Sequence, residues 1–325
     1  MLTRSSIGAI GLLLALTGAV PAQTYPARPI NMIIPFAAGG PQDTINRVVA
    51  QRLSEILGQQ VIIENIGGAG GMTGSKRVAD ATPDGYTFGV GSVGTHAQNQ
   101  TLYKKPAYNS ATDFTPIALM AETPIALTVR KDLPANNFKE FVAYAKANHG
   151  KMQFGSAGPG SATHLGCVVL NSVLGINPTH VPYRGTGPAM QDLHGGRIDF
   201  LCEIINTAKP HIDAGAIKAL AIMTKERSPV LPNLPTALEQ GVQGLEAYTW
   251  TAIFLPKGAP TDVVKKLNAA MNQTLDTPSV RERLEGMGVT IPPADRRSPE
   301  YMAQFVRSEI KKWEEPIKAS GAQVD

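Results

Sequence analysis

Apolar positions along the chain recur with two alternating periods. Short apolar runs at residues 30–35, 60–65 and 86–90 have the length and the Gly/Pro/Asp punctuation of strands. Between them, residues 42–57 place Ile45, Val48, Val49, Leu53 and Ile56 on one stripe of a helix, and residues 71–80 predict a second. The turn Thr82-Pro83-Asp84-Gly85 precedes the third strand. The alternation resumes with strands at 125–129, 152–155, 179–182, 198–203 and 219–223, and helices at 138–148, 162–174 and 188–193. Short Gly-rich connections join them, the pattern of parallel sheets covered by helices on both faces. The tail adds a strand at 250–255 and an amphipathic helix at 261–275 presenting Val264, Leu267, Ala270 and Met271. A terminal helix at 299–319 has a charged outer face.

The N-terminus changes the picture first. Arg4 precedes an uncharged apolar stretch from Ile7 to Val20, and Val20-Pro21-Ala22 puts small residues at the −3 and −1 positions of a cleavage site. This is the layout of a secretory signal peptide cut after Ala22. The apolar run is shorter than the roughly 20 residues that a membrane-spanning helix needs. The remaining chain is too long for one ordinary core and predicts two domains. A Pro-rich stretch at 228–241 has the character of a crossing segment, and the tail is expected to pack back on the first domain. The expected organisation is therefore a leader at 1–22, a discontinuous first domain of 23–124 with 248–325, and a second domain of 125–247. The hinge falls near residues 124 and 248.

Charge then excludes a class. The formal net charge of +4 is spread along the chain, and basic residues adjoin only in scattered pairs such as Lys104-Lys105, Arg296-Arg297 and Lys311-Lys312. A nucleic-acid binder would concentrate its basic residues on one face. The two cysteines, Cys167 and Cys202, can form a disulfide in an exported protein or remain buried thiols. Together with six scattered histidines they offer no metal-ligand spacing.

Candidate chemistry lies in loops at the carboxyl ends of strands, where open α/β sheets bind ligands. Pro35-Phe36-Ala37-Ala38-Gly39-Gly40-Pro41-Gln42-Asp43 opens the first helix, where free N–H groups favour an anion. Asp43 has two readings, a ligand contact or a helix cap. Gly89-Val90-Gly91-Ser92-Val93-Gly94-Thr95-His96 contains a G-x-G-x-x-G, but on the third strand–helix unit and without the acidic partner that a dinucleotide site requires. Its Ser92 and Thr95 are loop donors instead. The stretch 155–164 supplies Ser156, Gly158, Ser161 and Thr163 before a helix. Stretch 181–188 supplies Arg184, either an acid partner or a structural arginine, and stretch 203–207 supplies Asn206 and Thr207. No serine sits in G-x-S-x-G, and Ser161, three residues before His164, is expected to cap a helix. Donors without a base–nucleophile pair favour binding over catalysis.

These stretches resemble the Bug family, the periplasmic receptors of tripartite tricarboxylate transporters, over essentially the whole mature length. The resemblance is carried by Tyr25-Pro26-Ala27-Arg28-Pro29-Ile30, the 35–43 loop, Val61-Ile62-Ile63-Glu64-Asn65, Gly67-Gly68-Ala69-Gly70-Gly71 and Pro83-Asp84-Gly85-Tyr86-Thr87. It continues through Phe154-Gly155-Ser156-Ala157-Gly158, His180-Val181-Pro182-Tyr183-Arg184-Gly185 and Gly195-Gly196-Arg197-Ile198-Asp199. It implies a Venus-flytrap fold, two doubly wound α/β domains joined by a hinge, that captures a small organic carboxylate without chemistry or cofactor. It further implies delivery to membrane permease subunits, by a monomer. By position, one carboxylate would meet Ala38, Gly39 and Asp43 on one side and Ser156, Gly158, Ser161 and Thr163 on the other. The far end of the ligand would meet Ser92, Thr95, His96, Arg184, Asn206 and Thr207. Relatives often carry an Asp where this chain has the stretch 202–206, and its absence disfavours an amino-acid ligand. Two other readings stand beside this one: a sensor component that signals through a membrane kinase, and an exported hydrolase.

Overall fold

The computed structural model describes residues 25–324; the expected leader at 1–22 lies outside them. The chain forms β1 (Ile30–Ile34), α1 (Pro41–Leu57), β2 (Val61–Asn65), α2 (Met72–Ala79) and β3 (Thr87–Ser92). A π-turn at Gly94–Gln98 runs into the short α3 (Asn99–Leu102), followed by the 17-residue β4 (Phe114–Arg130). Next come α4 (Phe138–Asn148), β5 (Gln153–Ser156), α5 (Ala162–Leu174), β6 (Thr179–Pro182), α6 (Thr186–His194), β7 (Phe200–Ile204), α7 (Ile205–Asp213) and β8 (Ile217–Ile222). The chain closes with β9 (Tyr248–Pro256), α8 (Thr261–Asp276), α9 (Pro278–Gly286) and α10 (Pro299–Ser320).

The strands lie in the order β2-β1-β3-β9-β4-β7-β5-β6, with β8 also paired to β4. The β1–β2, β1–β3, β5–β6 and β5–β7 pairs are parallel, as the alternation of strands and helices predicts. The middle is not. β9 runs antiparallel to both β3 and β4, and β4 runs antiparallel to β7 and β8. Strand direction at the centre has no signature in the hydrophobic pattern, because a strand buried on both faces is apolar in either direction.

β4 holds the two halves together. Residues Phe114 to Pro124 pair with β9, whereas Ile125 to Arg130 pair with β7 and β8. Pro116 is tolerated in this central strand beside a register shift, which interrupts the ladder where the N–H is missing. The chain returns alongside the crossing, where Ile125 N–H donates to the Ala247 carbonyl and Ala247 N–H to that of Met223.

The tail is clamped by a buried carboxylate. Glu309 of α10 accepts from the indole N–H groups of Trp250 (2.9 Å) and Trp313 (3.3 Å) and from the Tyr248 hydroxyl (3.1 Å). Arg296 grips Glu122 of β4 through both guanidinium nitrogens (3.0 and 2.7 Å). Cys167 of α5 and Cys202 of β7 form a disulfide. Among the described residues no helix is long and apolar enough to cross a membrane, and no cluster of His, Cys, Asp or Glu is arranged to hold a metal.

Candidate ligand-binding cleft

The β1–α1 and β3 loops meet the β5–α5, β6–α6 and β7–α7 loops across a cleft. Its inner cavity is walled by Phe36, Pro41, Gln42, Ser92, Ala157, Ser161, Ala162, Thr163, Thr186, Ile204 and Thr249. Three helices begin in this wall: α1 with Pro41 and Gln42, α5 with Ala162 and Thr163, and α6 with Thr186. The wall contains no ionisable side chain. Its electrostatic character comes from backbone N–H groups and the positive ends of three helix dipoles. Gly40 and Gly185 stand at the N-caps of α1 and α6 and provide no side-chain cap, so these helix ends are open to a ligand's oxygens.

A second, outer cavity adjoins the first at Thr186. Its wall includes Ala37, Ala38, Gly39, Gln191, His194, Glu203, Thr207 and His211. His194 and His211 stack edge to face with ring centroids 4.6 Å apart.

The residues singled out in the sequence fall into distinct places. Ser92, Ser161 and Thr163 line the inner cavity; Ala38, Gly39 and Thr207 line the outer one. The others brace the loops. Asp43 is buried and accepts from the Gly39 N–H (3.0 Å), Arg47 (2.8 Å) and Asn65 (3.1 Å). Burial pushes its carboxyl upward, but these donors outweigh burial and hold it below the usual carboxylate range. Thr95 is buried with its hydroxyl 2.9 Å from both the Ser92 N–H nitrogen and His96 Nδ1. His96 stacks on Phe254 at 4.0 Å, and complete burial lowers its pKa to about 3, so it is a neutral core side chain. Arg184 is exposed and meets the cleft through its carbonyl, which accepts the Ala37 N–H (3.1 Å). Asn206 ties α7 to α1 by donating to the Pro41 carbonyl (3.0 Å) and the Thr44 hydroxyl (2.8 Å).

The loop before α5 is a closed network. Ser161 caps the helix by accepting the His164 N–H (3.2 Å) and donates to the Gly158 carbonyl (2.7 Å); Thr163 accepts the Ala157 N–H (3.0 Å). Ser156 Oγ lies 2.6 Å from His180 Nε2, the spacing of a nucleophile and its base. Yet Ser156 is fully buried, its hydroxyl already accepts the Gly158 N–H (3.0 Å), and no carboxylate among the described residues orients His180. The pair pins the loop.

Gln42, Thr186, Ile204 and Thr249 are among the residues that line the inner wall without having been singled out. Gln42 and Thr186 lie inside glycine-rich stretches already recognised, where Gly40 and Gly185 signal the open caps. Ile204 lies in the recognised 203–207 stretch at the end of β7, whereas nothing local marks Thr249, which belongs to the site through strand register alone.

Glycines let the two sides approach backbone to backbone. A Cβ on Gly70 would stand 1.9 Å from the Pro159 carbonyl oxygen, and one on Gly94 would stand 2.7 Å from that of Gly160. The Tyr103 hydroxyl lies in the same seam, 3.0 Å from the carbonyl oxygens of both Ala69 and Pro159.

Residues 45–322 match the family model described as "Tripartite tricarboxylate transporter family receptor". The UPF0065 protein in the TAR-I ttuE-ttuC' intergenic region of Agrobacterium vitis is 40% identical over 92% of this chain and 86% of its own length. The structure of the periplasmic binding protein BugD superposes with a TM-score of 0.89, at 39% identity over 92% of this chain and 99% of that one. MatC from Rhodopseudomonas palustris, solved with bound malate, gives a TM-score of 0.88 at 42% identity, covering 90% of this chain and all of MatC (100%). Fold and sequence agree over nearly the whole described chain, and these neighbours are solute-binding proteins, not enzymes. The chain belongs to the Bug family of tripartite tricarboxylate transporter receptors.

Proposed function

We propose that the protein is a periplasmic receptor that captures a small organic carboxylate in the inner cavity and delivers it to the permease subunits of a tripartite tricarboxylate-type transporter. The observation that carries this reading is the convergence of three helix N-termini on a cavity with no ionisable side chain in its wall. Such a cavity solvates a carboxylate with fixed N–H and hydroxyl donors, and offers a cation no counter-charge. The malate in MatC is a ligand of the same chemistry. On this reading residues 1–22 are a cleaved leader, and the mature protein acts as a monomer.

The domains are taken as 23–124 with 248–325, and 125–247. The change of strand partners at Pro124/Ile125 and the adjacent return at Ala247/Tyr248 support these bounds. Ligand binding closes the hinge because the donors come from both sides of the cleft.

A thermal-shift panel of carboxylic acids on the purified mature chain tests the reading. A ligand at a hundred times its dissociation constant adds about 2.7 kcal/mol of stability, a shift of several degrees. A flat response of refolded, ligand-free protein to mono-, di- and tricarboxylates, aromatic acids and amino acids would overturn it.

A further inference from the structure

Glu203 stands out in the cleft. It is fully buried at the end of β7 and forms part of the outer-cavity wall. Two threonine hydroxyls donate to one of its oxygens: Thr186 Oγ1 (3.1 Å) and Thr207 Oγ1 (2.5 Å) meet Oε1. Oε2 is buried and has no hydrogen-bond partner among the described residues. No Lys or Arg lines the outer cavity. An ionised carboxylate here is desolvated without a counter-charge, so burial favours the neutral acid, which has a hydroxyl to donate.

The two cavities meet at Thr186, which lines both and donates to Glu203. A ligand held by one carboxylate in the inner cavity therefore carries its far end toward this buried acid. We propose that Glu203 is a specificity-determining residue of the cleft: as a neutral acid it donates the Oε2 proton to the second carboxylate of the ligand, so the receptor favours diacids over monoacids. The inference rests on the carboxylate-receptor reading above. Burial also raises the Glu203 pKa to about 7, the three hydrogen bonds it accepts opposing the rise only in part.

Other ionisable groups lie near this acid. His194 and His211 share the cavity wall, and burial followed by the neighbouring His194 keeps His211 below the ordinary histidine range. On α7, Lys209 is paired with Asp213 (2.6 Å); on α1, Arg47 is paired with Asp43 (2.8 Å). The neighbouring strand β4 presents Ala126 opposite Glu203.

The test uses succinate, glutarate and adipate as diacids, with butyrate and hexanoate as monoacid controls. Isothermal titration follows each from about pH 6.5 to 9, where exposed carboxylates are fully ionised. Diacid affinity of the parent should fall toward tenfold per pH unit above the Glu203 pKa, and monoacid affinity should not change. Glu203→Gln, which keeps a neutral donor, should bind diacids with a flat pH profile. Titration in buffers of different ionisation enthalpy adds a measurement that needs no variant: near pH 8 a diacid should take up most of one proton on binding, and a monoacid none. A diacid profile that is flat in the parent, or equally steep in Glu203→Gln, would overturn the role of Glu203 and leave the receptor reading standing. Proton uptake equal for mono- and diacids would overturn it too. Failure of every carboxylate to bind at any pH would overturn both.

Discussion

A single methyl group added at Gly94 should hold the cleft ajar. Gly94 lies in the π-turn after β3, facing the Gly158–Ser161 loop, and its backbone is outside the left-handed region, so alanine brings no local strain. The new Cβ would stand 2.7 Å from the Gly160 carbonyl oxygen and 3.0 Å from the Ala162 nitrogen. Reaching ordinary contact requires the two loops to part by about 0.7 Å. The Tyr103–Pro159 hydrogen bond, 3.0 Å in the same seam, would lengthen beyond useful range. Its loss costs about 1 kcal/mol, and overpacking a close contact adds roughly 1–3 kcal/mol. Together they set about 2–4 kcal/mol against the closed form, and ligand affinity should drop roughly 30- to 1,000-fold. Isothermal titration with the acid giving the largest thermal shift measures this directly. The ligand-free melting temperature should stay near that of the parent, because the open form does not make the seam. Gly150→Ala is the control, since a Cβ there meets nothing within 4 Å. Affinity of Gly94→Ala within twofold of the parent would refute the argument that this seam closes over the ligand.

Further outcomes follow from the same structure. Burial lowers the His96 and His164 pKa values to about 3, so each takes up a proton when the chain unfolds below the ordinary histidine value of about 6.5. Stability is therefore present above that pH and falls by up to about 3 kcal/mol per pH unit as the solution is acidified; urea unfolding at pH 7 and pH 5 checks it, and equal midpoints would contradict it. Glu203 acts in the opposite sense, because its folded pKa is raised: its contribution is intact below about 4.5 and is lost as the pH rises through about 7. Reducing the Cys167–Cys202 disulfide, which spans 35 residues, should cost roughly 3–4 kcal/mol, and a melting temperature unmoved by reductant would contradict this. Thr186→Ala, at the junction of the two cavities, should weaken binding by about tenfold, whereas Arg184→Ala should leave it within twofold because that loop contributes its carbonyl.

Much of the fold is legible wherever periodicity and punctuation coincide. The α5 helix occupies residues 162–174 and β6 residues 179–182, the spans expected from the sequence. The first half of β4 is hidden, because Pro116, Glu122 and Pro124 break the apolar run that would announce a central strand. The α7 helix is hidden by its own Pro210 and by starting directly after β7. The site is legible as loops, less so as side chains. Glycine-rich turns before helices identify α1, α5 and α6, but which hydroxyl lines a cavity and which braces a loop depends on hydrogen bonds made at long range. Asn206 and His96 illustrate the difference: both are polar residues in cleft loops, one spent on α1 and the other stacked in the core. Glu203 is the converse, an acid within a recognised stretch whose interest comes from complete burial, which no local pattern reveals.

The account turns on where the carboxylate sits, and a crystal structure of the mature chain with its best-binding acid measures that directly. A carboxylate group in the cavity walled by Gln42, Ser92, Thr163 and Thr186, within hydrogen-bond distance of backbone N–H groups at the starts of α1, α5 or α6, is the predicted result. An acid bound elsewhere, with this cavity filled only by water, would contradict it.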